Sequence, residues 1–355
     1  MPVPQTTSAE ALDRYALGKT IVVGHGPGWE DVRLVVKSLP PTAETFTMPA
    51  VTEPFIAWMP GRIPKGRTSA ALGWPSYSKR TTGRSGFAAI ISWSMAKSIT
   101  HALVGILVAD GRIDPSLPAP VPSWKGTEKE RITLQHLLTM SSGLRFVEDY
   151  VDDSISHCID MLFGEGKDDV AAYAAALPLD HEPGSKWSYS SGTTNIICRL
   201  LADVVGQGPA FHEFMNRELF DPLGMRSAIP KFDARGTFIG SSYVYATARD
   251  FAKFGYLYLR GGEWDGRQLV SREWCESAQI PLSRDEESGT FYSLQWWVTG
   301  DAFGSYWANG YEGQSITVVP SLDAVIVRLG ATDADRYPAL RAWRHDLLSA
   351  LHQSA

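Results

Sequence analysis

Two stretches of this 355-residue chain carry a serine and a lysine at the spacing that nucleophilic catalysis needs. The stronger is Ser94-Met-Ala-Lys97. A serine hydroxyl is a poor nucleophile until a neighbouring base takes its proton. Residues three apart share a helix face, so Lys97 would stand one turn from Ser94. A partly desolvated lysine can be neutral enough to act as that base. In a helix's first turn the serine's own N–H is unpaired and can bond a developing oxyanion. The competing reading is a capping serine beside a solvated lysine. The same spacing recurs at Ser76 and Lys79, but Pro75 precedes it and no helical pattern follows.

Two further stretches could complete such a site. In Glu182-Pro-Gly-Ser-Lys-Trp-Ser-Tyr189-Ser-Ser191-Gly-Thr, a turn leads through a polar cluster into an amphipathic helix. A tyrosine whose pKa is lowered by a neighbouring ammonium can pass a proton from serine to a leaving group; an ordinary half-buried tyrosine is the alternative. In Tyr306-Trp-Ala-Asn-Gly310-Tyr311-Glu-Gly-Gln314, glycines beside a strand edge let substrate approach the backbone. A main-chain N–H there could be a second oxyanion donor, whereas the plain reading is a hairpin turn. The chain contains no GxSxG, HExxH, P-loop or CxxC pattern. Gly24-His-Gly26-Pro-Gly28 reads as a turn, and His101 and His136 read as packed histidines. No Ser-His-Asp triad is needed, because serine, lysine and tyrosine suffice.

The elements that must position these residues can be read from periodicity. Short apolar runs at 21–24, 32–36, 55–58 and 87–92 read as strands, and 61–85 as loop. An amphipathic helix starts at Ser94 and stops before Gly111. Helical patterns cover 134–140, 170–176, 195–205, 211–220 and 248–260. Runs at 291–298, 315–319 and 324–329 read as strands of a meander, and 335–352 as a closing helix. The expected fold is α+β: an antiparallel sheet flanked by helices, with a mainly helical region inserted. The expected division is 1–113 with 286–355 as a discontinuous α/β region, and 114–285 as the helical region.

Composition narrows the function. A chain of 39.0 kDa can bury a core without disulfides or a structural metal. A net charge of −6 offers no basic field for nucleic acid or anionic lipid. Cys158, Cys198 and Cys275 have no disulfide or zinc spacing and read as buried small hydrophobes. No leader pattern and no run near the ~18 apolar residues of a membrane span are visible, so the expected compartment is the cytoplasm. No metal or cofactor is expected. Twelve tryptophans suggest a thick core, an aromatic-walled pocket, or both. Trp93, Trp187 and Trp307 fall within three residues of the chemical stretches; Trp124, Trp264, Trp274 and Trp343 read as structural.

Taken in order, the three stretches resemble the penicillin-recognising serine hydrolases. The likeness is to their class C β-lactamase-related branch, with its esterases and 6-aminohexanoate-dimer hydrolases. Thr133-Leu-Gln-His-Leu-Leu-Thr-Met-Ser-Ser-Gly143, Phe220-Asp-Pro-Leu-Gly-Met225 and Gly261-Gly-Glu-Trp-Asp-Gly266 add to it. The resemblance implies Ser94 as acylated nucleophile, Lys97 as its base partner and Tyr189 as proton relay. It implies the N–H groups of Ser94 and Tyr311 as the oxyanion hole. Ser191 falls where many relatives carry asparagine, and Tyr150 where similar hydrolases place a tyrosine over the substrate. Gly310, Trp187 and Trp307 are the remaining candidates for substrate contact. The third stretch departs from the pattern: Ala308 stands where Lys or His is usual, so the cation for a β-lactam carboxylate is missing. The expected function is cleavage of a small ester or amide with an apolar, weakly charged acyl group. The alternatives are a β-lactamase or D-amino-acid peptidase, and a catalytically silent relative that only binds acyl or peptide ligands. Oligomeric state is not legible in the sequence.

Overall fold

The computed structural model describes residues 19–24, 33–36, 89–149, 156–330, 332 and 334–352. The sequence expectations for 55–58, 61–85, Ser76, Lys79 and Tyr150 lie outside these residues. In chain order the strands are β1 (Lys19–Gly24), β2 (Arg33–Val36), β3 (Ile90–Ile91), β4 (Ile229–Pro230), β5 (Val244–Ala246), β6 (Glu263–Trp264), β7 (Arg267–Gln268), β8 (Ser283–Arg284), β9 (Phe291–Tyr292), β10 (Trp297–Val298), β11 (Tyr306–Gly310), β12 (Gln314–Val319) and β13 (Ala324–Leu329). The helices are α1 (Ala96–Ala109), α2 (Leu134–Leu138), α3 (His157–Phe163), α4 (Val170–Ala176), α5 (Ser191–Val205), α6 (Pro209–Met215), α7 (Ala248–Leu259), α8 (Arg272–Ser277) and α9 (Tyr337–His352).

The fold is α+β. Its main sheet has the order β2-β1-β13-β12-β11-β10-β9-β8, so β1 pairs onto the last strand and β2 onto β1. Lys19 lies opposite Leu329 and Gly24 opposite Ala324, antiparallel. From β8 to β13 the sheet is a meander. Alternation along its strands divides the side chains between two layers. Tyr306, Ala308, Ile316, Val318, Val325 and Val327 join the large core shared with the helices. Val319, Ala324 and Ile326 pack instead with Leu340, Trp343 and Leu347 of α9. Helix α7 crosses the core face closely at Gly255, where an added Cβ would sit 2.6 Å from Val325. A smaller sheet, β3-β5-β4, stands in front of α1.

Two elements differ from the sequence reading. Residues 291–298 are not one strand but a tight hairpin, in which Ser293 N–H bonds Trp296 O at 2.8 Å. Gln295 turns the chain with φ of 62° and carries none of the usual turn signals. Its side chain is held inside: the carboxamide accepts from Thr194 at 2.7 Å and donates to Leu138 O at 2.9 Å. Ser98 of α1 bonds the Gln295 carbonyl at 2.9 Å, so one residue ties α1, α2, α5 and the hairpin together. The second difference is α1 itself. It is not amphipathic on a surface; every residue from Ala96 to Leu107 is buried. Its polar residues find partners inside, which lets a helix with Lys97, Ser98, Thr100 and His101 run through the core.

Candidate active site

Ser94 sits at an elbow between the small sheet and α1. Ile91 ends β3, and a 3-10 turn over Trp93–Met95 leads into α1. Ser92 anchors the elbow: its N–H donates to Val244 O at 2.8 Å, and its hydroxyl accepts from Val244 N–H at 3.0 Å. Trp93 then takes φ of 47°, a left-handed conformation that costs a non-glycine residue about 1–2 kcal/mol. The Trp93 ring is wedged against Tyr311 at 5.9 Å and Tyr243 at 6.2 Å, contacts that hold this bend. Neither the turn nor α1 receives a side-chain cap, so Ser94 is not a capping serine. It is half-buried and faces Lys97.

Lys97 is 1% exposed and gathers the site around its side-chain nitrogen. Nζ lies 3.0 Å from Ser94 Oγ, 2.9 Å from Ser191 Oγ and 3.0 Å from the Ser241 carbonyl oxygen. The ring of Tyr189 lies 4.8 Å from the same nitrogen. The Tyr189 hydroxyl lies close enough to Ser94 and Lys97 for both to favour its charged form. Tyr189 and Ser191 are delivered by the start of α5. Ser190 caps that helix, accepting from Thr193 N–H at 3.1 Å. The turn before it is pinned to the loop after α2, with Gly184 N–H on Ser141 O at 2.7 Å and Ser188 N–H on Met140 O at 2.8 Å. The lowered tyrosine pKa expected from the sequence does not hold. Burial pushes the Tyr189 phenol up, and the opposing pull of Lys97 does not overcome it. Tyr189 is therefore a phenol near neutral pH, able to donate a proton.

Two members of this cluster escaped the sequence reading. Glu148 clamps Ser191: Oε2 accepts from the Ser191 N–H at 2.7 Å and Oε1 from its hydroxyl at 2.5 Å. The only signal was its place in Val147-Glu-Asp-Tyr150, beside a residue already singled out. The Ser241 carbonyl is main chain and leaves no trace in a sequence. Its own N–H is fixed by Asn195 of α5 at 3.2 Å.

The third stretch forms β11 and the turn after it rather than a loop. Gly310 comes so close to the elbow that an added Cβ would lie 2.5 Å from Ser92 O. This places the Tyr311 backbone next to the Ser94 turn. The turn itself is braced from outside the site. Arg328 donates to Gly313 O at 2.8 Å and Glu312 O at 3.2 Å, and Tyr337 accepts from Glu312 N–H at 3.1 Å. Ala308 is buried on the core face opposite Ile316, with no cation at its position.

Aromatic rings line up behind Tyr189. Trp297 is 5.5 Å from Tyr189, 6.0 Å from Trp187 and 5.0 Å from Tyr292. Trp187 is half-buried and reaches Tyr189 itself at 6.5 Å. Trp307 is a step further off: it stacks on Trp297 at 6.2 Å, with the Arg344 guanidinium 4.7 Å over its ring. Ser94, Lys97, Tyr189, Ser191 and Gly310 are thus brought together, Trp187 borders them, and Trp307 joins through Trp297. Trp124, Trp264 and Trp343 are buried in the core, and all three cysteines are buried thiols.

His101, one turn beyond Lys97, is fully buried. Its Nδ1 bonds the Tyr258 hydroxyl at 2.7 Å, and its ring stacks on Trp274 at 5.0 Å. Burial lowers its pKa from 6.5 to about 3. The unfolded chain therefore binds a proton that the folded chain refuses between those values. The stability from keeping His101 neutral is complete above pH 6.5 and is lost as pH falls toward 3. Its slope is at most about 1.4 kcal/mol per pH unit. Urea unfolding across this range should show a flatter acid limb for H101N than for the parent. Identical limbs would show that His101 does not set it.

A buried lysine bonded to a half-buried serine at a strand-to-helix elbow, with a tyrosine ring facing the same nitrogen, has the parts a serine hydrolase would need. Residues 65–350 match the Beta-lactamase family, and the chain belongs to it. Its fold is that of the penicillin-recognising serine hydrolases. The chain is 30% identical to the 6-aminohexanoate-dimer hydrolase of Paenarthrobacter ureafaciens over 73% of its own length and 69% of that protein's. It is similar in fold to a penicillin-binding protein from Bacillus halodurans, with a TM-score of 0.59 and 15% identity, over 98% of this chain and 99% of that one. It is also similar to a family VIII carboxylesterase, with a TM-score of 0.60 and 15% identity, over 76% of this chain and 84% of that one. Among the described residues, no helix is long and apolar enough to cross a membrane.

Proposed function

We propose that this protein hydrolyses small esters or amides through an acyl-enzyme on Ser94. The observation that carries the reading is the 3.0 Å hydrogen bond between Ser94 Oγ and the buried Lys97 Nζ. Lys97 takes the Ser94 proton as Oγ attacks the carbonyl carbon. The N–H groups of Ser94 and Tyr311 receive the developing oxyanion. As the intermediate collapses, the bond to the leaving group breaks. The proton returns from Lys97 through the Tyr189 phenol to the departing oxygen or nitrogen. Water then attacks the acyl-enzyme, and the same groups carry its proton to Ser94. The rise in the Tyr189 pKa suits this role, because a phenol can give a proton that a phenolate cannot.

The substrate class follows from what surrounds Ser94. Ala308 offers no cation, and Trp187, Tyr189, Tyr292 and Trp297 present an aromatic flank. An apolar acyl group of low charge fits this flank, with Gly310, Trp187 and Trp307 as its contacts. The relatives named for dimer and carboxylester hydrolysis support the amide and ester classes. p-Nitrophenyl acetate or butyrate should be turned over with kcat/KM at least about tenfold above nitrocefin, the cost of a missing charge-assisted contact. Faster nitrocefin turnover would make the protein a β-lactamase. A folded protein inert to esters, amides and nitrocefin would be the silent ligand-binding relative.

A further inference from the structure

The Ser191 hydroxyl has one proton and two neighbours. Glu148 Oε1 lies 2.5 Å from it and Lys97 Nζ 2.9 Å. A carboxylate only accepts, so the proton must point to Glu148. Ser191 then has nothing but lone pairs to offer Lys97 and takes one of its N–H bonds. The Ser241 carbonyl, 3.0 Å from Nζ, is also acceptor-only and takes another. In the neutral form in which it can act as a base, Lys97 has two N–H bonds and one lone pair. With both N–H directions committed, the lone pair is left facing Ser94 Oγ at 3.0 Å, where the serine proton must go. The remaining neighbour of Nζ is Tyr189, whose ring lies at 4.8 Å and whose phenol, close to both Ser94 and Lys97, is the next station for that proton.

We propose that Glu148 is a positioning residue for proton transfer: by holding the Ser191 proton it makes Ser191 an obligate acceptor and so aims the Lys97 lone pair at Ser94. The second carboxylate oxygen keeps Glu148 in place through the Ser191 N–H at 2.7 Å. That N–H lies in the first turn of α5, which has no acidic residue of its own; Glu148 supplies the favourable negative charge from 43 residues upstream. Without this carboxylate, the Ser191 hydroxyl can rotate and donate to Lys97. It then competes with Ser94 for the lone pair.

The inference rests on Ser94 and Lys97 as nucleophile and base, and its test separates the two readings. In E148Q the carboxamide oxygen goes to the Ser191 N–H and the amino group donates to Ser191 Oγ. The hydroxyl proton is thereby turned toward Lys97. E148Q should lose about 10- to 100-fold in kcat/KM for p-nitrophenyl butyrate, mainly in kcat. In an S191N background the residue can present a carboxamide oxygen that only accepts, and in an S191A background no hydroxyl is left to turn. In either background the same Glu148→Gln change should cost less than about threefold. Equal losses in all backgrounds would make Glu148 a structural clamp and overturn the proposal, as would full activity in E148Q. Should S94A retain activity, the nucleophile reading fails first. If activity depends on Ser94 while the Glu148 penalty ignores residue 191, only the role of Glu148 falls.

Discussion

Replacing Ser94 by alanine should lower kcat/KM for p-nitrophenyl butyrate by roughly 10⁴-fold or more, the scale of losing a nucleophile that works as a unit with its base. The fold should survive. Ser94 caps no helix, and its hydroxyl bonds to a group of the site, Lys97. Removing it leaves Lys97 with Ser191 and Ser241, and removes one polar atom from a half-buried position. The thermal midpoint of S94A should therefore stay within a few degrees of the parent. This separation matters, because inactivity with unfolding would say nothing about chemistry. Near-parental ester turnover in folded S94A would transfer the nucleophile elsewhere.

Lys97→Met should cost about 10³-fold in kcat/KM, the usual worth of a positioned acid or base. Here stability changes too. Lys97 is buried, and its loss strands the Ser241 carbonyl, while the Ser191 hydroxyl loses one donor but keeps Glu148. Each unsatisfied buried group costs about 1–3 kcal/mol, so the variant should unfold at clearly lower denaturant concentration. The catalytic and structural parts can be told apart with K97A and a small primary amine. If the lysine nitrogen is the base, added ethylamine should restore part of the rate, and the restored rate should rise with the fraction of free amine. Loss without rescue at any pH, in a variant that remains folded, would argue that Lys97 only holds the site together.

Ser94 and Lys97 were legible because helix spacing is a local rule: three residues apart fixes one face whatever the rest of the chain does. Turn and strand signals placed Tyr189 before a helix and Gly310 at a strand edge, but only the resemblance singled them out from an ordinary tyrosine and a plain hairpin turn. The tyrosine's protonation was not legible, because desolvation belongs to the packed site and not to the neighbouring residues in sequence. Glu148 was not legible for a similar reason. It sits in a polar stretch with no periodicity, and its partner is 43 residues away. Helix α1 misled in the opposite direction. Its lysine, serine and threonine look like a solvated face, yet each has a partner inside the core, as does the histidine that reads as packed. The hairpin at 291–298 was hidden because Gln295 turns the chain without glycine, proline or asparagine. Tertiary hydrogen bonds to Thr194 and Leu138 fix it instead.

The central claim is a covalent acyl-enzyme on Ser94, and mass spectrometry of the trapped intermediate tests it most directly. Protein mixed with p-nitrophenyl butyrate and quenched in acid should gain the mass of one butyryl group. Fragmentation should place that group on the peptide containing Ser94, and S94A should gain nothing. An adduct mapped to another residue, or an adduct of equal yield in S94A, would contradict the account.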